Sequence, residues 1–409
     1  ICKINRKLCE IMIEICKKQD CVGCGACLSA CNKDAITMQP DALGFFYPEI
    51  DQGKCVNCGL CAKSCFNNNK PTYNEPIDTC VGYAVNIGEQ VSSTSGGLAS
   101  VFMGTILKNG GLVYGCSGEN ARKVKHIRIE KPEDIEKLRG SKYVQSYMGQ
   151  IYKNVVADLC ADKNVLFIGT PCQVAGLITY LKGKTYDKLY TVDFVCHGVP
   201  SQQILNDAID AKVNEREGLR LVNRVKEGSK ESKYTLRLIK NGQVVCDDTY
   251  PSEGYITGFL CGLYYRENCY QCQFARRERV SDVTLGDFWD RFDNVKGLAN
   301  KKDGLSMIMA NTEAGKKLLS MCEDSYAHAE WDYEDFIRRN GQLKQPIRRH
   351  PKRDQFEKIY AIAGYDTALS ETLHQDLKNI RKNILLNTIS SIINRTPVVR
   401  TIYKKLRNR

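Results

Sequence analysis

The sequence predicts a small α+β module followed by an α/β domain with a mainly parallel sheet and an added β-hairpin region. Three observations predict it. Two cysteine runs, Cys21, Cys24, Cys27, Cys31 and Cys55, Cys58, Cys61, Cys65, each spell CxxCxxCxxxC. Strand and helix signals then alternate from Cys80 to about Val213, the grammar of a parallel sheet with helical crossovers. Finally, Asn241 and Gly242 separate two strand-like runs, a strong type I′ hairpin signal.

Between the cysteine runs, Ala35 to Met38 and Phe45 to Tyr47 read as short strands around Gly44, and Asn67 to Pro76 reads as a linker. Leu98, Val101, Phe102, Ile106 and Leu107 follow a helical period that stops at Asn109, Gly110 and Gly111. Leu112 to Gly115 and Val165 to Gly169 read as buried strands. At Thr170, Pro171 and Gln173 the chain combines an N-cap, a proline at the first helical position and a capping box, for a helix ending near Gly183. Leu189 to Cys196 is a third buried strand, with a helix from Ser201 to about Val213. Tyr234 to Ile239 and Gln243 to Asp247 form the hairpin.

The spacing of the first cysteines carries chemistry. Three thiolates two residues apart wrap one corner of an iron–sulfur cube, and the fourth reaches the other cube. Two such runs imply two 4Fe-4S clusters in an α+β ferredoxin-like N-terminal module over residues 1–76. Cys21, Cys24, Cys27 and Cys65 would hold one cluster, and Cys55, Cys58, Cys61 and Cys31 the other. Structural zinc does not need a third cysteine at this spacing. The proline that usually follows the fourth cysteine is replaced by Asn32 and Phe66.

A further set is dispersed. Cys172 falls in the first turn of its helix, where free amides and the dipole favour a thiolate. Cys196 ends the next strand, and Cys269 and Cys272 form a lone CxxC. Their convergence would suit a third 4Fe-4S cluster or zinc, and separate roles explain the same residues. The other nine of the 21 cysteines read as small buried residues.

With 43% hydrophobic and 26% charged residues, the 409-residue chain has the balance of a soluble protein with a sizeable core. Clustered cysteines without a secretory signal or long apolar span point to a reducing, cytoplasmic location. From Arg338 onward there are 17 Lys+Arg against 5 Asp+Glu, so the whole net charge of +12 is C-terminal. Leu377, Ile380, Ile384, Leu385, Ile389, Ile392 and Ile393 recur at helical spacing there, interleaved with Lys378, Arg381, Lys382 and Arg395. Residues 351–409 therefore read as a basic helical tail, with a helix over about 375–393. Such a helix either packs on the body with a solvated basic face or docks on a partner or a membrane surface. No nucleic-acid-reading module accompanies the charge.

Several segments in fixed order carry a family resemblance. They are Ser92-Ser93-Thr94-Ser95-Gly96-Gly97, Gly140-Ser141-Lys142-Tyr143-Val144-Gln145-Ser146, Gly169-Thr170-Pro171-Cys172-Gln173, Cys196-His197-Gly198-Val199-Pro200-Ser201, Cys269 to Cys272, and Leu285-Gly286-Asp287-Phe288-Trp289. Residues 80–350 resemble the beta subunits of coenzyme F420 hydrogenases and dehydrogenases. That resemblance implies an FAD-containing oxidoreductase with a cluster beside the flavin, fed or drained by the two ferredoxin-type clusters. The substrate class is a small-molecule hydride donor or acceptor such as F420, and the partner is a ferredoxin or an oxidoreductase subunit. Two other readings remain: a non-catalytic electron-transfer subunit, or a ferredoxin-driven reductase of another metabolite.

Ser93, Thr94, Ser95, Gly96 and Gly97 form a small-residue loop opening a helix. It suits an anion or cofactor, and a plain capped helix start explains it equally. Lys142 would neutralise a pyrophosphate or an anionic reduced flavin, with Tyr143, Gln145, Ser146 and Asp287 as further cofactor contacts. His197 and Lys142 are the catalytic candidates. Arg276, Arg277 and Arg279 suit an acidic substrate or partner, or a solvated face.

Overall fold

A computed structural model describes residues 13–226, 233–288 and 294–395, without the side chains of 390–395. In the N-terminal module, strands β1 (Ile36–Pro40) and β2 (Phe46–Ile50) pair antiparallel, with Ile36 opposite Ile50. Each cysteine run leads into a short helix, Ala26–Ala30 or Leu60–Lys63. The runs turn alike. Gly23 and Gly25 have φ of 67° and 78°, and Asn57 and Gly59, at the matching positions, have 53° and 71°. Only residues that tolerate the left-handed region can make this turn.

The tip of the hairpin is built into the rest of the molecule. Asp41 Oδ1 accepts the amides of Leu43 and Phe45 at 3.0 and 2.9 Å. Leu43 and Phe45, buried, join one core with Ile204, Leu205, Leu263 and Tyr265. Gly44 is required there, because a Cβ would fall 2.3 Å from the Gln203 side chain.

The following strands are β3 (Asp78–Ala84), β4 (Leu112–Ser117), β5 (Lys125–Ile129), β6 (Val165–Ile168), β7 (Leu189–Phe194), β8 (Arg220–Val225), β9 (Lys233–Lys240), β10 (Gln243–Thr249), β11 (Val283–Asp287), β12 (Ser306–Ala310) and β13 (Tyr326–Glu330). Eight form one sheet in the order β13-β3-β12-β11-β7-β6-β4-β5. The middle four, β11-β7-β6-β4, are parallel, as strand–helix alternation predicts. Both flanks are antiparallel. The central strands are buried on both faces, so Val165, Leu166 and Phe167 are 0% exposed. The expected hairpin is β9–β10, turning at Asn241 (φ 51°) and Gly242 (φ 79°); β8 adds a third strand.

Helices form where periodicity and caps place them. Helix Leu98–Lys108 buries Val101, Phe102 and Ile106, and ends at Asn109. Helix Pro171–Tyr180 opens with the Gln173 side chain accepting the Thr170 amide at 2.9 Å. Ser201 caps helix Gln202–Asp210. The C-terminal helix is longer than the periodicity suggests: it spans Arg353–Arg395 with a break at Gly364, φ 78°. Phe356, Tyr365, Ala368, Leu369 and Leu373 enter the main core, so residues up to Leu377 are body rather than tail. Beyond Leu377 the packing stops, and Ile384, Leu385, Leu386 and Ile389 are 44–60% exposed. Among the described residues no helix is long and apolar enough to cross a membrane. Trp289 and the chain after Arg395 lie outside the described residues.

Candidate functional site

Two thiol-lined pockets occupy the N-terminal module. Cys21, Cys24, Cys27 and Cys65 line the first, and Cys31, Cys55, Cys58 and Cys61 the second. Each pocket takes three sulfurs from one run and the fourth from the other. Backbone amides point at the sulfurs: Gly23 at Cys21, Ala26 at Cys24, Leu28 at Cys27, Ala62 at Cys61, and Asn67 and Asn68 at Cys65. Anionic sulfur stabilised by amides in apolar surroundings is what a 4Fe-4S cluster needs. Cys58 is exposed, so the second pocket opens to solvent.

A fifth sulfur, Cys16, also lines the first pocket. Its thiol donates to Cys21 and Cys65, holding Cys21 down at about 6 and Cys65 at about 7. No motif spacing reaches Cys16, which is why sequence reasoning passes over it.

The dispersed cysteines converge. Cys172 lies at the start of helix Pro171–Tyr180, Cys196 just beyond β7, and Cys269 and Cys272 in and after the turn Glu267–Gln271. All four are within electrostatic reach of one another. Each sulfur receives a backbone amide: its own for Cys172, Gly198 for Cys196, Val199 for Cys269, and Phe274 and Ala275 for Cys272. Burial outweighs the helix start at Cys172, pushing its thiol up to about 11, and pushes Cys269 to about 12. Sulfurs so enclosed gain their charge only with a cation or cluster to hold it. The donor set therefore fits a third 4Fe-4S cluster.

The first pocket and this third set share a wall. Gly176, one helical turn after Cys172, is so close to the N-terminal module that a Cβ would lie 2.9 Å from Cys24 Sγ and 2.9 Å from Tyr152 Oη. Tyr152 donates to Gln173 O at 2.7 Å, fixing that wall.

The expected cofactor contacts divide between places. Tyr143 stacks on Phe259 at 4.4 Å and faces Tyr234 at 6.0 Å. Arg224 covers the Tyr234 ring at 4.8 Å and pairs with Asp287. Lys226 donates to the carbonyls of Ser95, Gln90 and Asp303, and burial lowers it to about 8. Ser95, Tyr143 and Asp287 thus border one region through Arg224 and Lys226, two cations the sequence did not mark. Ser93 Oγ, two residues before Ser95, is buried with no partner among the described residues. An orphaned hydroxyl, buried cations and an aromatic stack fit a flavin nucleotide. Gly96 has a packing reason as well, since a Cβ would lie 2.4 Å from Gly82 O.

Other candidates make different contacts. The Lys142 amine donates to Leu138 O and Arg139 O, and burial holds it at about 8. Gln145 donates to Val22 O at 2.7 Å, on the side of the first thiol pocket. Ser146 is enclosed by His126 and Gln173. His197 Nδ1 sits 2.7 Å from Tyr265 Oη and flanks Phe259, and burial lowers its pKa. The three arginines form no free basic patch, because each has a carboxylate of this chain: Arg276 with Glu278, Arg277 with Glu334, and the buried Arg279 with Asp193.

Thiol pockets of this construction define an iron–sulfur electron-transfer protein. Residues 20–69 match the 4Fe-4S dicluster domain, and residues 162–332 match the family described as the C terminus of the coenzyme F420 hydrogenase/dehydrogenase beta subunit. Among solved structures, a chain of the F420-reducing NiFe hydrogenase complex from Methanosarcina barkeri is similar. It has 16% identity and a TM-score of 0.45 over 74% of this chain and 92% of that chain. No curated protein matches.

Proposed function

We propose that the chain is a flavin and iron–sulfur oxidoreductase that passes electrons between a hydride-type substrate, reduced F420 or a similar molecule, and a redox partner protein. The observation that carries this reading is the convergence of Cys172, Cys196, Cys269 and Cys272 in a wall shared with the first thiol pocket. FAD, when bound, supplies the exchange between two-electron and one-electron chemistry. The Ser93–Gly97 loop, Lys226, Arg224, Asp287 and Tyr143 are the residues that would hold it. His197, kept neutral by burial and tethered to Tyr265, is the proton-handling group beside Phe259. The solvent-facing second pocket, at Cys58, is where a partner protein meets the chain.

Anaerobic purification with iron and flavin measured together tests this. About 12 iron atoms and one FAD per chain are expected from three four-iron clusters. About eight iron atoms without flavin would leave a two-cluster electron carrier and overturn the enzyme reading. Flavin bleaching by reduced F420, compared with NADH and reduced ferredoxin, identifies the substrate; bleaching by the others alone removes F420.

A further inference from the structure

Arg266 is 1% exposed and among the largest fully buried side chains. Its oxygen partners are all neutral: Nε donates to Cys21 O at 2.7 Å, Nη2 to Phe46 O at 2.9 Å and Nη1 to Gln145 Oε1 at 3.2 Å, and the guanidinium also donates to the Cys21 sulfur. The guanidinium lies over Tyr47 at 4.2 Å and Phe45 at 5.6 Å. No described carboxylate lies within 4.0 Å of it, and the adjacent Glu267 pairs with Arg349 instead. The two comparably buried arginines differ: Arg279 pairs with Asp193 and Arg353 with Glu357. A buried cation without a countercharge is strongly disfavoured, and arginine cannot escape by deprotonating.

The missing negative charge is close by. Arg266 acts electrostatically on Cys21 in the first thiol pocket and on Cys172 and Cys269 in the third set. A four-iron core held by four thiolates carries a net charge of about −2, and about −3 after taking up one electron. We infer that Arg266 is the fixed counter-cation shared by the first and third cysteine sites, favouring their reduced states. Reduction adds one electron and requires no proton at Arg266. The guanidinium is a positioning charge rather than a group that touches substrate.

This inference rests on the iron–sulfur part of the proposed function. Its test is an anaerobic redox titration of the full-length protein followed by electron paramagnetic resonance, comparing wild type, R266Q and R266K. In R266Q the reduced-to-oxidised ratio at a fixed poise should fall at least tenfold, which is 59 mV for one electron. R266K, which keeps the charge but loses the fork, should return most of that shift. Clusters of unchanged potential in R266Q, or equal shifts in both variants, would overturn the inference. If R266Q fails to load iron while R266K loads it at near wild-type potential, the charge role stands. If both fail to load while their apoproteins match wild-type apoprotein in stability, Arg266 is packing only. A wild-type protein without cluster signals refutes the functional reading itself, which keeps the two failures apart.

Discussion

Replacing Gly176 by alanine tests the shared wall directly. The new methyl would meet Cys24 Sγ and Tyr152 Oη at 2.9 Å and Cys24 Cβ at 3.1 Å, against about 3.5–4.0 Å for relaxed contacts. Neither neighbour has room to yield. Tyr152 is 0% exposed and hydrogen-bonded to Gln173 O, and Cys24 is fixed in the lining of the first pocket. Overpacking of this kind costs about 1–3 kcal/mol, while alanine over glycine in a helix interior gains about 1 kcal/mol. The variant should therefore range from neutral to about 2 kcal/mol less stable. Gly104, inside helix Leu98–Lys108, is the control, because its added Cβ would meet nothing nearer than Ile135 Cδ1 at 3.9 Å. Gly104→Ala should gain about 0.5–1 kcal/mol. Urea unfolding midpoints of anaerobically purified proteins compare the two, and iron analysis should show less iron in Gly176→Ala alone. Equal stabilisation by both substitutions would refute the close approach of the two cysteine sites.

Asp193→Asn leaves Arg279 buried without its carboxylate and should cost about 3–5 kcal/mol, with Asp193→Asn/Arg279→Met recovering part of it in the same unfolding assay. His126, 4% exposed and held by Ser146 Oγ and Ile168 O, is depressed by burial from 6.5 to about 4. The unfolded chain takes up that proton first as the pH falls. The contribution is therefore complete above about pH 6.5 and declines by about 3 kcal/mol towards pH 4. A stability difference between wild type and His126→Asn that stays constant from pH 7 to 4.5 would exclude it. Leu373→Ala, at a fully buried position of the last helix, should lose about 2–5 kcal/mol, whereas Leu385→Ala, 60% exposed, should stay within about 0.5 kcal/mol of wild type. Thermal or urea unfolding of the pair shows where the helix leaves the body.

Local signals made much of this legible. The thiol pockets follow cysteine spacing, the start of helix Pro171–Tyr180 follows from Thr170 and Gln173, and the β9–β10 turn follows from Asn241-Gly242, because each depends on neighbours in sequence. The antiparallel flanks were not legible. β12 pairs with both β11 and β3, which is more than 200 residues earlier, and no local pattern encodes that choice. The same reason hid Arg224, Lys226 and Arg266: a lone cation in sequence looks like solvated surface until the fold encloses it. Gln145 and Ser146, read from a shared segment as cofactor contacts, are separated from Tyr143 and Asp287 by where their side chains turn. The C-terminal helix was placed late because the exposed Ile384–Ile389 stretch has the more conspicuous periodicity, while the segment that packs begins at Arg353.

The hairpin tip that sinks Leu43 and Phe45 into the main core has a mechanical consequence. The cysteine-bearing module is moored rather than hinged, with Ser201 donating to the Leu43 carbonyl as a second fastening. The spacing between the first and third cysteine sites is then a constant of the fold, set like the spacing of teeth on one gear. Leaving this seat would pull Leu43 and Phe45 out of the core, so cutting the module away would unroof the packing beneath it.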